Sequence, residues 1–417
     1  MRILHTSDWH LGQTLHNFER GYEHQCFLDW LLDTLVSEEV DALLIAGDVF
    51  DNANPSAASQ QQLYRFLSQA KARRPHLNVV LIAGNHDSAG RLEAPGPLLH
   101  ALDIAVVGHI RRLENGAIDV ARLVLPLKNP TGVVSAWCLA IPFLRPGDVP
   151  QPDAEAAQAG TDSYATGIAL LYKQALQYAL NQRAPGQAIV AMGHCHMVGA
   201  DVSVDSERPI VIGGSEALSS SLFDPAIAYV ALGHLHLAQA VGNQPHHRYC
   251  GSPLPMSFSE ITYEHQVVCL DLDGENVKAI RPIQVPRAVA MLRVPNKPAA
   301  IDAVLAALGA LDLPDVPDAA QPYLEVRVHL DAPEPGLRSK IEAALEGKAV
   351  RLAKIETTSN RATTIQDVAL SLDEHERLLP EDIFERLYQQ RFSCVAPAAQ
   401  RADFRELLLE PTESPLP

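Results

Sequence analysis

Five short apolar runs in this chain each break at, or just before, a residue able to ligate a metal ion. The runs are Ile3-Leu4-His5-Thr6, Ala42-Leu43-Leu44-Ile45-Ala46, Val79-Val80-Leu81-Ile82-Ala83, Ile189-Val190-Ala191-Met192 and Tyr229-Val230-Ala231-Leu232. They lead into Ser7-Asp8-Trp9-His10, Gly47-Asp48, Gly84-Asn85-His86-Asp87, Gly193-His194 and Gly233-His234-Leu235-His236. Short, β-rich and nearly continuous apolar runs are how strands covered on both faces read. Four of the five end at a glycine, whose missing Cβ is expected to let the backbone turn sharply and deliver the next side chain to a sheet rim. A lone Asp-x-His or Gly-His more often marks an ordinary loop than a site. Five together predict rims that point Asp, Asn and His at one place.

The donor types then narrow the chemistry. Carboxylate, amide oxygen and imidazole, with no cysteine among the expected ligands, suit Mn²⁺, Fe²⁺ or Zn²⁺ better than a thiolate structural zinc. Seven candidates, Asp8, His10, Asp48, Asn85, His194, His234 and His236, are too many for one ion and fit two if one carboxylate is shared. Two cations roughly 4 Å apart can lower the pKa of a shared hydroxide and hold the attacking and leaving oxygens of a phosphoryl group. The expected reaction is phosphoester hydrolysis.

Taken in order, the motifs resemble the calcineurin-like metallophosphoesterase superfamily, whose pattern is Asp-x-His, Gly-Asp, Gly-Asn-His-Asp/Glu, Gly-His and Gly-His-x-His. Within it the chain is similar to the nuclease subunits of double-strand-break-repair complexes. Leu11-Gly12-Gln13 after the first motif and Gly251-Ser252-Pro253-Leu254-Pro255-Met256-Ser257-Phe258 after the last support that narrower likeness. The resemblance implies Asp8, His10, Asp48 and His236 around one metal and Asp48, Asn85, His194 and His234 around the other, with Asp48 as the bridge. It implies two divalent ions, with Mn²⁺ expected, and His86 facing the scissile phosphate as the catalytic residue. Imidazole titrates near neutral pH, so its natural role is general acid to the leaving oxygen or charge partner for the phosphate. Asp87 either orients His86 or supports the metal ligands from behind, or else simply caps a turn, and Asp51 carries the same readings. His196 and Cys195, in Gly193-His194-Cys195-His196, read as a loop histidine and a small packing residue. His5, His16, His24, His246 and His247 read as structural.

The resemblance further implies an exonuclease on duplex ends and an endonuclease on hairpins and single strands. It would act as a homodimer within a heterotetramer, together with a coiled-coil ATPase. Two other readings carry less weight. The first is a metallophosphatase or small-molecule phosphodiesterase of the same superfamily, for instance a protein phosphatase; those phosphatases place Asp-Arg-Gly downstream of Gly-Asp, whereas this chain has Asp51-Asn52-Ala53 and no arginine there. A non-catalytic scaffold would have lost ligands, and every expected one is present.

At 417 residues with 47% hydrophobic content, more than one domain is expected. No window approaches the roughly 18 apolar residues of a membrane span. Met1-Arg2-Ile3-Leu4 runs directly into the first motif, which is read as no signal peptide and a cytoplasmic protein, associated with the nucleoid when acting on DNA. Six scattered cysteines without Cys-x-x-Cys suggest reduced thiols. The net charge of −17 is unusual for a stand-alone DNA binder, and just over half of the excess lies beyond residue 299. That placement predicts weak DNA affinity alone and a protein partner at the C-terminal end.

Three regions are expected. Residues 1–286 form an α/β, two-sheet sandwich flanked by helices over Phe27–Glu38, Ser56–Lys71 and Tyr164–Gln182, with strands over 265–285 and a surface loop over Pro146–Asp162. Residues 287–358 read as strand-helix-strand-helix-strand, a small α+β domain that the resemblance makes a cap over the site. Residues 359–417 hold a linker and two amphipathic runs. Ile383, Phe384, Leu387 and Tyr388 on the first run are the candidate contacts to the ATPase.

Overall fold

Strands covered on both faces must be apolar at every position, and the arrangement of the chain shows why these are. The computed structural model describes residues 1–150, 163–203, 217–242, 244–332 and 334–359, together with positions 384, 388, 400 and 404. Two six-stranded sheets are present. The first has the order Asn276–Gln284, Gln266–Asp273, Arg2–Thr6, Ala42–Ala46, Asn78–Ile82, Ile104–Val107. Its last four strands run parallel, with Ile3 opposite Ala42 and Ala42 opposite Asn78. The second has the order Gln239–Val241, Gln244–Tyr249, Tyr229–Gly233, Ala188–His194, Val134–Ala140, Val124–Lys128 and is parallel through its four central strands.

The strand Ala42–Ala46 illustrates the packing. Ala42, Leu44 and Ala46 face the interior between the sheets, in one core with Val80, Ile82, Ala140 and Val190. Leu43 and Ile45 face outward, in a second core with Phe27, Leu31, Leu63 and Phe66 from two covering helices. Those helices are Gly21–Ser37 and Ala57–Arg73, and the second is capped by Ser56, whose Oγ accepts the Ser59 N–H at 3.1 Å. Helix Ser163–Gln182 covers the other sheet through Leu171, Tyr172 and Ala175. The helical layers on a two-sheet sandwich agree with the sequence expectation. The first helix, however, starts at Gly21, well before Phe27, because Glu23 and His24 are buried in its first turns and interrupt the apolar stripe.

Beyond residue 290, strands Met291–Ala299, Tyr323–His329 and Arg351–Thr358 form a parallel three-stranded sheet. Helices Ile301–Gly309 and Leu337–Ala344 connect them, and Val304, Leu308, Leu324, Val326 and Ile341 fill a separate small core. The alternation of the middle strand places Tyr323 and Glu325 out of that core. Tyr323 joins Leu15, Phe258, Val289 and Met291 in a cluster shared with the larger fold.

The chain divides into two compact units, residues 1–359 and residues 360–417. In the second, Phe384, Tyr388 and Phe404 are helical. The Phe384 ring stacks on Phe404 at 4.4 Å and lies 5.9 Å from Tyr388. Ile383 and Leu387 lie outside the described residues, as do 151–162 of the expected surface loop. Among the described residues no helix is long and apolar enough to cross a membrane.

Leu44, fully buried at the centre of the sandwich, tests the core directly. Leu44→Ala is expected to cost about 2–5 kcal/mol in denaturant-induced unfolding, the usual range for a buried leucine whose neighbours cannot collapse into the cavity.

Candidate metal centre

The loops at the ends of these strands pack so closely on one another, on the facing sheet and on a covering helix that only glycine fits at several points. A Cβ on Gly84 would lie 2.1 Å from Asp48 Oδ1, and one on Gly233 would lie 1.9 Å from the Ala46 carbonyl oxygen. On Gly193 it would meet the Tyr172 hydroxyl at 2.5 Å. Of the four rim glycines only Gly47 has a left-handed backbone, with φ +91°. The expected sharp turns are thus corrected at the other three, where the glycine permits close approach. The left-handed conformation falls instead on Asp8, His10, Asp48 and His234, at φ 55°, 46°, 47° and 108°. Such backbone is costly for residues with a Cβ and persists where the surroundings over-determine it. Here the Asp8 and His10 N–H groups both donate at 3.0 Å, to the Gly47 and Asp48 carbonyls, and lock the first two loops together.

This packing gathers all seven candidate donors. Donor atoms of Asp8, His10 and His236 lie within 4.8 Å of one another, and so do those of Asp48, His194 and His234. All six of these residues are buried. Asn85 joins the second group, its Oδ1 lying 2.9 Å from His194 Nε2 and 3.2 Å from His234 Nδ1. Asp48 stands between the groups, its Oδ2 being 3.3 Å from His194 Nε2 and 3.8 Å from His10 Nε2. Its other oxygen accepts the His86 N–H at 2.8 Å.

The histidines are oriented from behind. His194 Nδ1 lies 2.9 Å from the Ala46 carbonyl, an acceptor only, so Nδ1 carries the donated proton and Nε2 is turned to the site. His236 Nδ1 lies 2.9 Å from Glu260 Oε1, which likewise frees Nε2. A carboxylate or carbonyl behind an imidazole is the arrangement that fixes metal-ligating histidines. The buried His10 Nε2 has no hydrogen-bond partner. An orphaned imidazole nitrogen, two carboxylates, an amide oxygen and three further imidazoles in one buried space fit a dinuclear metal centre.

The electrostatics of the bare site agree. Burial opposes ionisation of Asp48, yet the adjoining His194 overcomes it and holds the carboxyl far below its ordinary range. Burial likewise disfavours charge on His194, but Asp48 wins and pushes the imidazole up to about 9. Asp8 is raised, chiefly by burial. His234 is driven well below its ordinary value, by burial first and by His194 next.

The remaining sequence candidates separate by what they touch. Asp87 accepts backbone N–H groups from Gly84 at 2.9 Å, Val49 at 3.1 Å and Phe50 at 2.9 Å, stapling the second loop to the third. Burial, then Asp48, raises its carboxyl to about 6. Asp51 places a carboxylate oxygen 3.4 Å from His10 Nδ1, and its carbonyl lies 2.7 Å from His86 Nδ1. His86 stands edge-on to His10 at 4.9 Å. His196 is half-buried, 6.3 Å from the His234 ring, and the Cys195 thiol contacts Met197 sulfur at 3.7 Å. Glu260 is absent from the sequence-based candidates. Ser257-Phe258-Ser259-Glu260 reads as an ordinary helix-capping pattern, and nothing local marks its carboxylate as the partner of His236.

A model of the family described as calcineurin-like phosphoesterase matches residues 1–238, and one described as type 5 capsule protein repressor C-terminal domain matches residues 287–392. A Rhodobacter capsulatus protein, named as the D subunit of nuclease SbcCD, is 40% identical over 388 residues, covering 92% of this chain and 93% of that one. The Escherichia coli K12 protein of that name is 32% identical over 412 residues, covering 94% and 96%. The Bacillus subtilis one is 35% identical over 274 residues, covering 65% and 66%. Fold, site and comparisons together define a metal-dependent phosphoesterase, a hydrolase whose chemistry is phosphodiester cleavage. The chain belongs to the calcineurin-like phosphoesterase family and, within it, to the SbcD family of SbcCD nucleases.

Gly233→Ala is expected to abolish metal binding, measured by metal content after desalting, because its methyl group would overlap the Ala46 carbonyl and force the sheet rims apart. A second outcome concerns pH. His194 sits at about 9 in the folded chain against an ordinary 6.5, so its pairing with Asp48 stabilises the metal-free protein fully below pH 6.5. That contribution is lost as pH rises through about 9. Denaturant unfolding of the metal-free chain should show this decline, and His194→Gln should remove it.

Proposed function

We propose that this chain is the nuclease subunit of a DNA-processing complex. It would be a two-ion phosphodiesterase that trims double-stranded ends and opens hairpins and single strands together with an SbcC-type coiled-coil ATPase. The observation that carries the reading is the position of Asp48 between two buried donor groups, each with its own histidines. Asp8, His10, Asp48 and His236 would hold one ion, and Asp48, Asn85, His194 and His234 the other. Mn²⁺ is the proposed ion, since hard oxygen donors mixed with imidazole suit it. The names of the relatives supply the substrate and the partner.

When bound, the ions supply Lewis acidity and a nucleophile of lowered pKa. The chain's own residues position the rest. His86 Nδ1 is held by the Asp51 carbonyl, which leaves Nε2 to meet the phosphate and donate a proton to the leaving oxygen. Asp87, by bonding three backbone N–H groups, keeps the loop that carries Asn85 and His86 in register with Asp48. Residues 287–358 would cap the site and help choose the DNA ends that enter. Residues 359–417 would bind the ATPase, with Ile383, Phe384, Leu387 and Tyr388 on the contact face. A homodimer inside a heterotetramer, working in the cytoplasm and on the nucleoid, completes the proposal. The acidic chain would then draw its hold on DNA from the ions and the partner, because a net charge of −17 repels phosphate.

The test is Mn²⁺-dependent cleavage of end-labelled duplex and hairpin DNA, with and without the partner ATPase and ATP, beside bis-p-nitrophenyl phosphate. His86→Ala is expected to slow DNA cleavage by about 10²- to 10⁴-fold while retaining bound metal, the range for loss of a positioned acid. Hydrolysis of the small diester without DNA cleavage under any condition would overturn the nuclease reading. Removal of residues 360–417 should abolish co-purification with the ATPase and leave metal content unchanged. Undiminished co-purification would show that these helices are not the contact.

A further inference from the structure

Arg20 is a fully buried cation at a junction of four segments. Its Nε and Nη2 donate to the two Glu23 oxygens at 2.9 and 2.8 Å, and its Nη1 donates to Gln13 Oε1 at 2.8 Å and to the Pro255 carbonyl at 2.7 Å. Glu23 in turn accepts the Tyr323 hydroxyl at 2.7 Å, from the middle strand of the 287–358 domain. A paired buried charge of this kind loses far more when one partner is removed than the pair gains by forming. These contacts therefore hold their segments to one arrangement.

Two of the segments end at candidate metal ligands. Gln13 donates its backbone N–H to the His10 carbonyl at 2.9 Å and its side-chain amide to the Met256 carbonyl at 3.2 Å. Met256 N–H donates to Glu260 Oε2 at 2.7 Å, while Glu260 Oε1 faces His236 Nδ1. The 287–358 domain grips the same loop again where Arg293 Nη2 donates to the Phe258 carbonyl at 2.9 Å. Both histidines of the Asp8–His10–His236 group are thus reached from that domain through an unbroken run of hydrogen bonds, buried around Arg20 and Glu260 and partly buried at Gln13 and Arg293. The bonds of His194, His234 and Asn85 run to Ala46, Asp48, Asp8 and one another, so they meet the first group only at Asp8 and at Asp48 beside His10.

We propose that Arg20, Glu23 and Tyr323 are positioning residues that tie the seating of the 287–358 domain more closely to the Asp8–His10–His236 metal position than to the Asp48–Asn85–His194–His234 position, which the network meets only through Asp8 and the shared Asp48. The inference rests on the two-ion reading above and extends it: the two ions are unequal, and the one at His10 and His236 responds more strongly to the domain. A shift of that domain on a bound substrate would change the grip on the loop carrying Glu260, and with it the setting of His236.

Calorimetric titration of the metal-free full-length chain with Mn²⁺ tests this without reference to activity. The wild type should bind two ions in two steps, assigned by the step lost in His236→Asn and in His194→Asn. Tyr323→Phe, which removes one hydroxyl from the network, should weaken the step lost in His236→Asn by about 3- to 30-fold, the scale of coupling through a packed network. It should weaken the other step clearly less. Glu260→Gln should weaken that same step by about 10-fold or more, as loss of a ligand's hydrogen-bond partner does. Tyr323→Phe made in the Glu260→Gln chain should add nothing further. An unchanged isotherm for Tyr323→Phe, or equal weakening of both steps, would overturn the coupling while leaving the two-ion centre standing. A wild type that takes up fewer than two ions would remove the two-ion reading itself. Arg293→Gln provides an independent perturbation of the same loop, with the same expected and overturning results, if Tyr323→Phe does not fold.

Discussion

The close approach of two sheet rims around Asp48 is the constraint on which the rest of the molecule depends. Asp48 accepts the His86 N–H, faces His194 and His10, and is crowded by Gly84 at a distance no side chain could share. Gly233 meets the Ala46 carbonyl just as tightly from the opposite sheet. Parallel strands with helices on their outer faces bring one set of strand ends to one side, where irregular loops and polar residues can gather. The apolar cores on either face supply the rigidity that holds four left-handed, non-glycine residues in place. Widening the rims by one methyl group would therefore disturb both donor groups together.

Much of this architecture was legible in the residues, and the reasons are physical. Two-sided burial leaves an unmistakable signature, so Ala42–Ala46 and Tyr229–Gly233 read as buried strands and are. The donor types pointed to metal because Asp, Asn and His after such strands have few other uses in combination. What could not be read was anything that depends on contact across sequence. The rim glycines look like turn residues, and only the three-dimensional packing shows Gly84, Gly193 and Gly233 to be spacers. The first helix hides its start because Glu23 and His24 occupy buried positions that apolar periodicity assigns to leucine. Asp87 carried two equal readings until its three backbone donors were in view, and none of them is His86.

Glu260 and Arg20 belong to the same class of hidden residue. Each lies in a segment whose local pattern has an ordinary explanation, a capping turn for one and a charged helix start for the other. Each acquires its role from a partner more than twenty residues away or in another domain, through His236 at 2.9 Å and Pro255 at 2.7 Å. Sequence patterns report on neighbours along the chain. Buried polar networks are assembled between elements, so the pattern carries the ligands while the supports behind them stay unmarked.

The proton on His194 gives the clearest view of how the site balances charge. Asp8 and Asp48 are fully enclosed carboxyls, and an isolated buried carboxylate is too costly to persist uncompensated. In the bare protein the chain resolves this by two routes: Asp48 keeps its charge by holding a proton on His194, and Asp8 drifts toward the neutral acid. At His234, burial and then the charged His194 outweigh Asp48, and the imidazole stays neutral. Cations would answer the same demand better than protons, because they can be met by every donor at once, including the otherwise orphaned His10 Nε2. A cation held at His194 Nε2 would displace its proton, since an imidazole nitrogen cannot hold both. The enclosed carboxyls thus leave a demand for positive charge at the site, which bound cations would meet.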